Sequence, residues 1–367
     1  MNRVADIFVA PAAGAHDVTA LIDALTTGLF RADEVVGVIA QTEGWIEARA
    51  LGLLQFSRAL APALGMEVDA VTEHVPLMMI GMCGGVMSPH YAVWLNRESD
   101  ATPSGEPRLV IGAADTEQHA PEDLGTAAHA RAVAEATERA VADAGLSPAD
   151  VACVEVKCPS MTPTRLADAE TRGVSLRTTD IATASARSRG SAALGVAIAL
   201  GEVAAAAVTD DAICADWSLH SNVASVSAGG EQTRTRIVVM GNSTASASTL
   251  RIGSGVMSDT LDLRGVVSAL EDSGLVDVGV PLSQEQAARV AHVFVNCGAN
   301  AVGSTRGRRH TMNSDYLAQH AGSFAKAVGN AVVASVIGDP MILASAGPEH
   351  QGAPGSNLVA VLTRHDR

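Results

Sequence analysis

The sequence predicts an α/β protein of three similar α/β units, arranged with pseudo-threefold symmetry around one central site. Three observations carry that expectation. A short Val/Ile-rich strand ending in polar residues recurs three times, each copy is followed downstream by a second strand running into a glycine-rich turn, and between the two lies a helix bearing one cation. The length of 367 residues fits two or three compact units, at roughly 150 residues per domain.

The first strands are read over residues 34–44 (EVVGVIAQTEG), 150–160 (DVACVEVKCPS) and 289–299 (RVAHVFVNCGA). Each follows a helical stretch: 17–25, the run from Ala130 with apolar residues at helical spacing, and the run from Gln284. The second strands and their turns fall in 76–90, 222–241 and 339–355, and the intervening helices carry Arg49, Arg189 and Lys326. Ser, Pro and Gly enrichment marks 98–108 and 241–255 as linkers, giving units over 1–105, 106–250 and 251–367.

Composition removes several classes of function. Against 40 Asp plus Glu stand 25 Lys plus Arg, a formal charge of −15. Such a chain lacks the cationic surplus that nucleic acid or an anionic membrane demands. Aromatic residues, at 3 %, are too few for stacking platforms. The five cysteines form no C-x-x-C pair, which argues for free thiols and a reducing compartment, hence the cytoplasm. Asp6 interrupts the apolar start, a poor secretory signal, and no run of membrane-spanning length exists.

The second unit offers the most chemistry. Lys157 closes a strand that reads as buried, and desolvation together with a nearby Arg189 would depress its pKa and make it a base for a serine. Ser227 stands where the second strand meets Ala228-Gly229-Gly230, leaving its Oγ accessible and backbone N–H groups free for an oxyanion. Alone, each has an ordinary explanation: strand-end lysines snorkel to solvent and serines are common in turns. Recurrence of the same positions in all three units gives the pair its weight. No G-x-S-x-G elbow, GxGxxG or P-loop is present.

The segments VIAQTEG, GGVMSPH, EVKCPS, SRGSAALGVAIALGEV, SAGGE, RGRRHTM and SAGPEHQG resemble the cyanuric acid hydrolase and barbiturase family of ring-opening amidohydrolases, in order and over nearly the whole chain. The resemblance implies three units around a pseudo-threefold axis, each giving a Lys, a Ser and an Arg to one site. It implies Ser227 as nucleophile, Lys157 as its base, and Arg49, Arg189 and Ser345 as groups that grip the ring. It also implies no required cofactor and a homotetramer.

Departures from the family pattern change the expected substrate. Gln41 and Asn296 stand at the lysine positions of the first and third units, Ile80 at the first serine and Lys326 at the third arginine. Gly81, Ala228 and Ala346 follow the three serine positions as further substrate contacts. Ile80 donates no hydrogen bond, so a carbonyl buried against it would lose about 1–3 kcal/mol. A cyclic imide, ureide or lactam less symmetric than cyanurate is therefore expected. The alternatives are a Ser-Lys amidase acting on a linear amide and a non-catalytic binder of small molecules. Cys83, Cys158 and Cys297 lie beside the site positions as weaker nucleophile candidates. The loop with Pro348, Gln351 and Gly352 resembles a structural divalent-cation loop of the family, but Cys297, Gly298 and Ala299 stand where its facing carboxylate belongs. His310, His320 and His350 lack metal-ligand spacing. The RGRRH run from Arg306 reads as a local salt-bridge or subunit contact.

Overall fold

The computed structural model describes residues 2–44 and 46–366. The first unit contains β1 (Asn2–Pro11), α1 (Thr19–Thr26), β2 (Val35–Gln41), α2 (Ile46–Leu64), α3 (Val71–His74), β3 (Leu77–Ile80) and β4 (His90–Ser99). The second contains β5 (Arg108–Gln118), α4 (Ala127–Ala144), β6 (Val151–Pro159), α5 (Pro163–Thr171), α6 (Ile181–Ala199), β7 (Ala224–Gly229) and β8 (Arg234–Ser243). The third contains β9 (Leu250–Met257), α7 (Leu263–Asp272), α8 (Gln284–Arg289), β10 (Val290–Cys297), β11 (Ser304–Thr305), β12 (Arg308–Arg309), α9 (Ala321–Ile337), β13 (Leu343–Ser345) and β14 (Asn357–Arg364).

Each unit builds one four-stranded sheet, and the three share one strand order: β1-β4-β2-β3, β5-β8-β6-β7 and β9-β14-β10-β13. In each sheet the last two strands of that order, β2/β3, β6/β7 and β10/β13, run parallel and every other pairing is antiparallel. The parallel pairs are joined through α2, α6 and α9, the three cation-bearing helices, as a parallel crossover requires.

The linker readings need correcting. Residues 98–99 and 108 belong to β4 and β5, and 241–243 and 250–255 to β8 and β9, so the connections shrink to 100–107 and 244–249. Ser, Gly and Thr are frequent there, yet extended pairing satisfies their backbone and overrides the turn-like composition. The strands that open and close each unit lie outside the repeated strand pairs that the sequence pattern marks. The RGRRH run forms the small β11/β12 hairpin, with Arg306 paired to Asp259 at 2.8 Å.

Strand alternation sorts side chains onto two faces. Ile39, Met78 and Trp94 of the first sheet meet Cys153, Val238 and Met240 of the second and Ile252, Phe294 and Leu343 of the third in one shared core. Trp94 stacks on Phe294 across the first and third units, ring centroids 6.1 Å apart. The opposite faces pack against each unit's own helices, as Val38 and Ala40 do with Leu60 of α2, or Val154 and Val156 with Val133 of α4 and Val196 of α6. In the second unit α4 and α6 approach closely enough that a Cβ on Gly195 would lie 2.5 Å from the Ala130 carbonyl. The result is three sheets back to back. The carboxyl ends of their parallel pairs meet at one place, where α/β folds bind ligands.

Candidate active site

The residue pairs singled out in the sequence are register partners on the parallel strands. Gln41 pairs with Ile80, Lys157 with Ser227 and Asn296 with Ser345. Because all six share the inward face, three equivalent pairs point at the axis. A cavity of about 80 Å³ lies over them, lined by Arg49, Ile80, Gly81 and Met82 of the first unit, Lys157, Arg189, Ser227 and Ala228 of the second, and Lys326, Ser345 and Ala346 of the third.

Ten of these lining residues are candidates from sequence, and Met82 is new. Two candidates stay outside the wall. Gln41 is 1 % exposed, its Oε1 accepting from Ala344 N–H at 2.9 Å and its Nε2 donating to the Ile80 carbonyl at 3.3 Å. Asn296, equally buried, donates to the Gly347 carbonyl at 3.1 Å. Gln41 is tied to the backbone of β3 and β13 and Asn296 to the Gly347 carbonyl, and neither side chain lines the cavity.

Lys157 is fully buried. Its Nζ donates to the Met79 carbonyl at 2.7 Å and the Ala228 carbonyl at 3.3 Å, and lies 3.4 Å from a Glu231 carboxylate oxygen. Burial pushes its pKa down to about 8; the Glu231 charge opposes that shift and the Arg49 charge adds to it. Ser227 Oγ is buried and has no hydrogen-bond partner among the described residues, so it is not bonded to Lys157 in this resting arrangement. Such contacts commonly close only when substrate is bound.

Two carboxylates that the sequence reading left without a role organise the cations. Glu231 lies 3.8 Å from Arg49, whose Nη1 donates to the Ala228 carbonyl at 3.3 Å. Glu349 takes two hydrogen bonds from Arg189, at 2.9 and 2.7 Å, a bidentate grip that fixes the guanidinium plane. Their signal in the sequence was positional: each stands four residues after a serine position, in SAGGE and SAGPE. Gly229 makes room for the first, since a Cβ there would lie 2.0 Å from the Glu231 carboxylate.

The thiols are poor nucleophiles in this setting. Burial pushes Cys83 and Cys158 up to about 11 and Cys297 up to about 12, leaving all three protonated near neutrality. The polar side chains of the 348–352 loop are engaged within the protein. Glu349 is committed to Arg189, Gln351 Oε1 accepts from Val226 N–H at 2.6 Å, and among the described residues no three His, Cys, Asp or Glu side chains gather. His350 shapes that loop, bonded to Cys214 N–H and the Leu219 carbonyl at 2.7 and 2.6 Å.

The fold and the three inward pairs define a class, an α/β protein of three concatenated units with one amine-and-serine cavity. A family model described as amidohydrolase ring-opening protein matches residues 6–364, and this chain belongs to that family. It is 42 % identical to a cyclic amide hydrolase of Azorhizobium caulinodans over 95 % of this chain and 96 % of the relative. It is 38 % identical to a cyanuric acid amidohydrolase of Enterobacter cloacae, over 98 % and 99 % of the two chains. A solved cyanuric acid hydrolase structure, described as innovation by structural concatenation, superposes with a TM-score of 0.93 at 35 % identity, covering 99 % of this chain and 100 % of the other.

Proposed function

We propose that this protein hydrolyses a C–N bond in a cyclic imide or ureide, with Ser227 as nucleophile and Lys157 as general base. The observation that carries the reading is the Lys157–Ser227 register pair. It is the only one of the three inward pairs that joins an amine to a hydroxyl, and both side chains line the cavity. Neutral Lys157 takes the Ser227 proton as Oγ attacks a ring carbonyl, and backbone N–H groups of the 228–230 turn hold the oxyanion. The lysine then returns the proton to the departing ring nitrogen, and water deprotonated by the same amine clears the acyl-enzyme. Arg189, its plane fixed by Glu349, and Arg49, with the Glu231 carboxylate 3.8 Å away, polarise ring oxygens.

The first-unit wall supports a substrate less symmetric than cyanurate. Ile80 and Met82 line the cavity there, and Gln41 is unavailable, so that edge suits an apolar or carbonyl-free part of the ring. Turnover of cyanurate, barbiturate and simpler cyclic amides, followed by mass spectrometry, tests both parts of the reading. A ring-opened product and an acyl adduct on Ser227 are expected. Efficient cyanurate hydrolysis would remove the asymmetry argument, and turnover by Ser227→Ala would remove the nucleophile.

A further inference from the structure

Lysine occurs only at positions 157 and 326; every other residue among the 25 Lys plus Arg is arginine. Both lysines are buried, 0 % and 3 % exposed, and both line the same cavity. The cations there follow a cyclic rule. The residue four places after the serine position of one unit meets the helix cation of the unit before it: Glu231 meets Arg49 at 3.8 Å, and Glu349 meets Arg189 at 2.7 Å. Four places after Ile80 stands Gly84, which offers no side chain, and the cation due there is Lys326.

Lys326 Nζ donates instead to the Gly81 carbonyl at 2.6 Å. The strongest charge influences on it come from Lys157, Cys297, Cys83 and Arg49, and the Glu43 carboxylate acts on Cys83. Lys157 Nζ bonds the Met79 carbonyl at 2.7 Å, so two amines flank Ile80 at one strand end, and among the described residues Lys157 has an ion-pair partner, Glu231 at 3.4 Å, where Lys326 has none. Burial and the like charge of Lys157 push Lys326 down to about 7. An arginine at this position would stay charged at every accessible pH.

We propose that Lys326 is a second acid–base group of the site: an amine that gains a proton when an acidic cyclic imide or ureide binds, the ring's negative charge supplying the counter-charge that Glu231 and Glu349 supply to the other two helix cations. The proposal rests on the ring-opening reading and narrows it to rings with an N–H between two carbonyls. On binding, that N–H bond breaks, its electron pair stays on the ring and spreads over the flanking oxygens, and the proton forms a new bond to Nζ. A ring already ionised in solution is bound with a proton taken from water. A plain lactam N–H is too weak an acid for either route.

The test uses full-length Ser227→Ala protein labelled with ¹³C at the lysine ε-carbon, which gives two side-chain signals, assigned with Lys326→Arg. Without ligand, the Lys326 signal is expected to titrate near 7. Above that midpoint, saturating barbiturate should return it to the ammonium position. Gly84→Glu, at a site where a Cβ meets nothing within 4 Å, should raise the unliganded midpoint by about one unit or more. A midpoint closer to the ordinary lysine value of about 10.4 than to 7 overturns the proposal. So does a Lys326 signal that barbiturate leaves unmoved up to its solubility limit, or a midpoint indifferent to Gly84→Glu. Turnover by the Ser227→Ala protein itself would sink the serine assignment while leaving these titrations readable.

Discussion

The first and second units present the same backbone to the cavity and different chemistry on it. Gln41 and Lys157 occupy equivalent inward positions at the ends of β2 and β6, each paired in register with a residue of the next parallel strand. Lys157 ends against carbonyls and a carboxylate with its neighbour Ser227 unengaged, whereas Gln41 spends both ends of its amide on Ala344 and Ile80. Three equivalent positions are thus divided between one amine–hydroxyl pair and two amides bonded to backbone carbonyls. A repeated fold supplies the placement; one or two side chains set the chemistry each copy offers.

The largest expected effect breaks that contrast from the reacting side. Lys157→Met and Ser227→Ala should each lower kcat by roughly 10³-fold or more, since base and nucleophile act as a unit. The mirrored change Gln41→Met should instead act on stability, costing about 1–3 kcal/mol because the buried Ala344 N–H loses its acceptor. Steady-state kinetics beside urea unfolding separates the two. A Gln41→Met enzyme as dead as Lys157→Met, yet fully folded, would mean the first unit takes part in the chemistry.

The next effect reads the electrostatics. The proposed mechanism makes the neutral amine of Lys157 the working form, so kcat/KM should rise with pH through about 8. Glu231 favours the ammonium, and Glu231→Gln should move that acid limb to lower pH while weakening the hold on Arg49. A limb that stays in place, or moves upward, would show that Glu231 does not tune the base. Of middle size is Ile80→Ser, which gives the first unit the hydroxyl the second already has. It should improve kcat/KM for cyanurate by about tenfold, the worth of one buried hydrogen bond to a ring oxygen.

Much of this was legible in the sequence because period-2 strands carry their own address. The polar residue ending each apolar run, at 41, 157 and 296, had to face inward once Ile39, Cys153 and Phe294, an even number of places before it, joined the core. What was not legible depends on distance in the chain. Nothing local distinguishes Gln41, tied to Ala344 of another unit, from a ligand-facing glutamine. Glu231 and Glu349 act on helices far from them in sequence, so their role appears only when units meet across the axis. Met82 was missed because it sits in a turn at φ +64°, where strand alternation no longer says which way a side chain points.

The smallest expected effect tests the thiol closest to the reacting pair. Cys158 follows Lys157 but lies on the opposite face of β6, fully buried, with Sγ donating to the Ser227 carbonyl at 3.5 Å and accepting from Ser188 Oγ at 3.5 Å. Burial holds it protonated, up to about 11, so it offers neither a thiolate nor a route to the cavity. Cys158→Ala should keep kcat within about threefold and cost about 1 kcal/mol of stability, the ordinary price of one small buried atom in a packed core. Loss of turnover comparable to that of Ser227→Ala, with the protein still folded and thiol reagents blocking activity in the parent, would move the nucleophile from the inward face of β7 to the outward face of β6. The second unit would still be the one that reacts, but through a thiol whose equivalent in the third unit is Cys297 and in the first is Thr42.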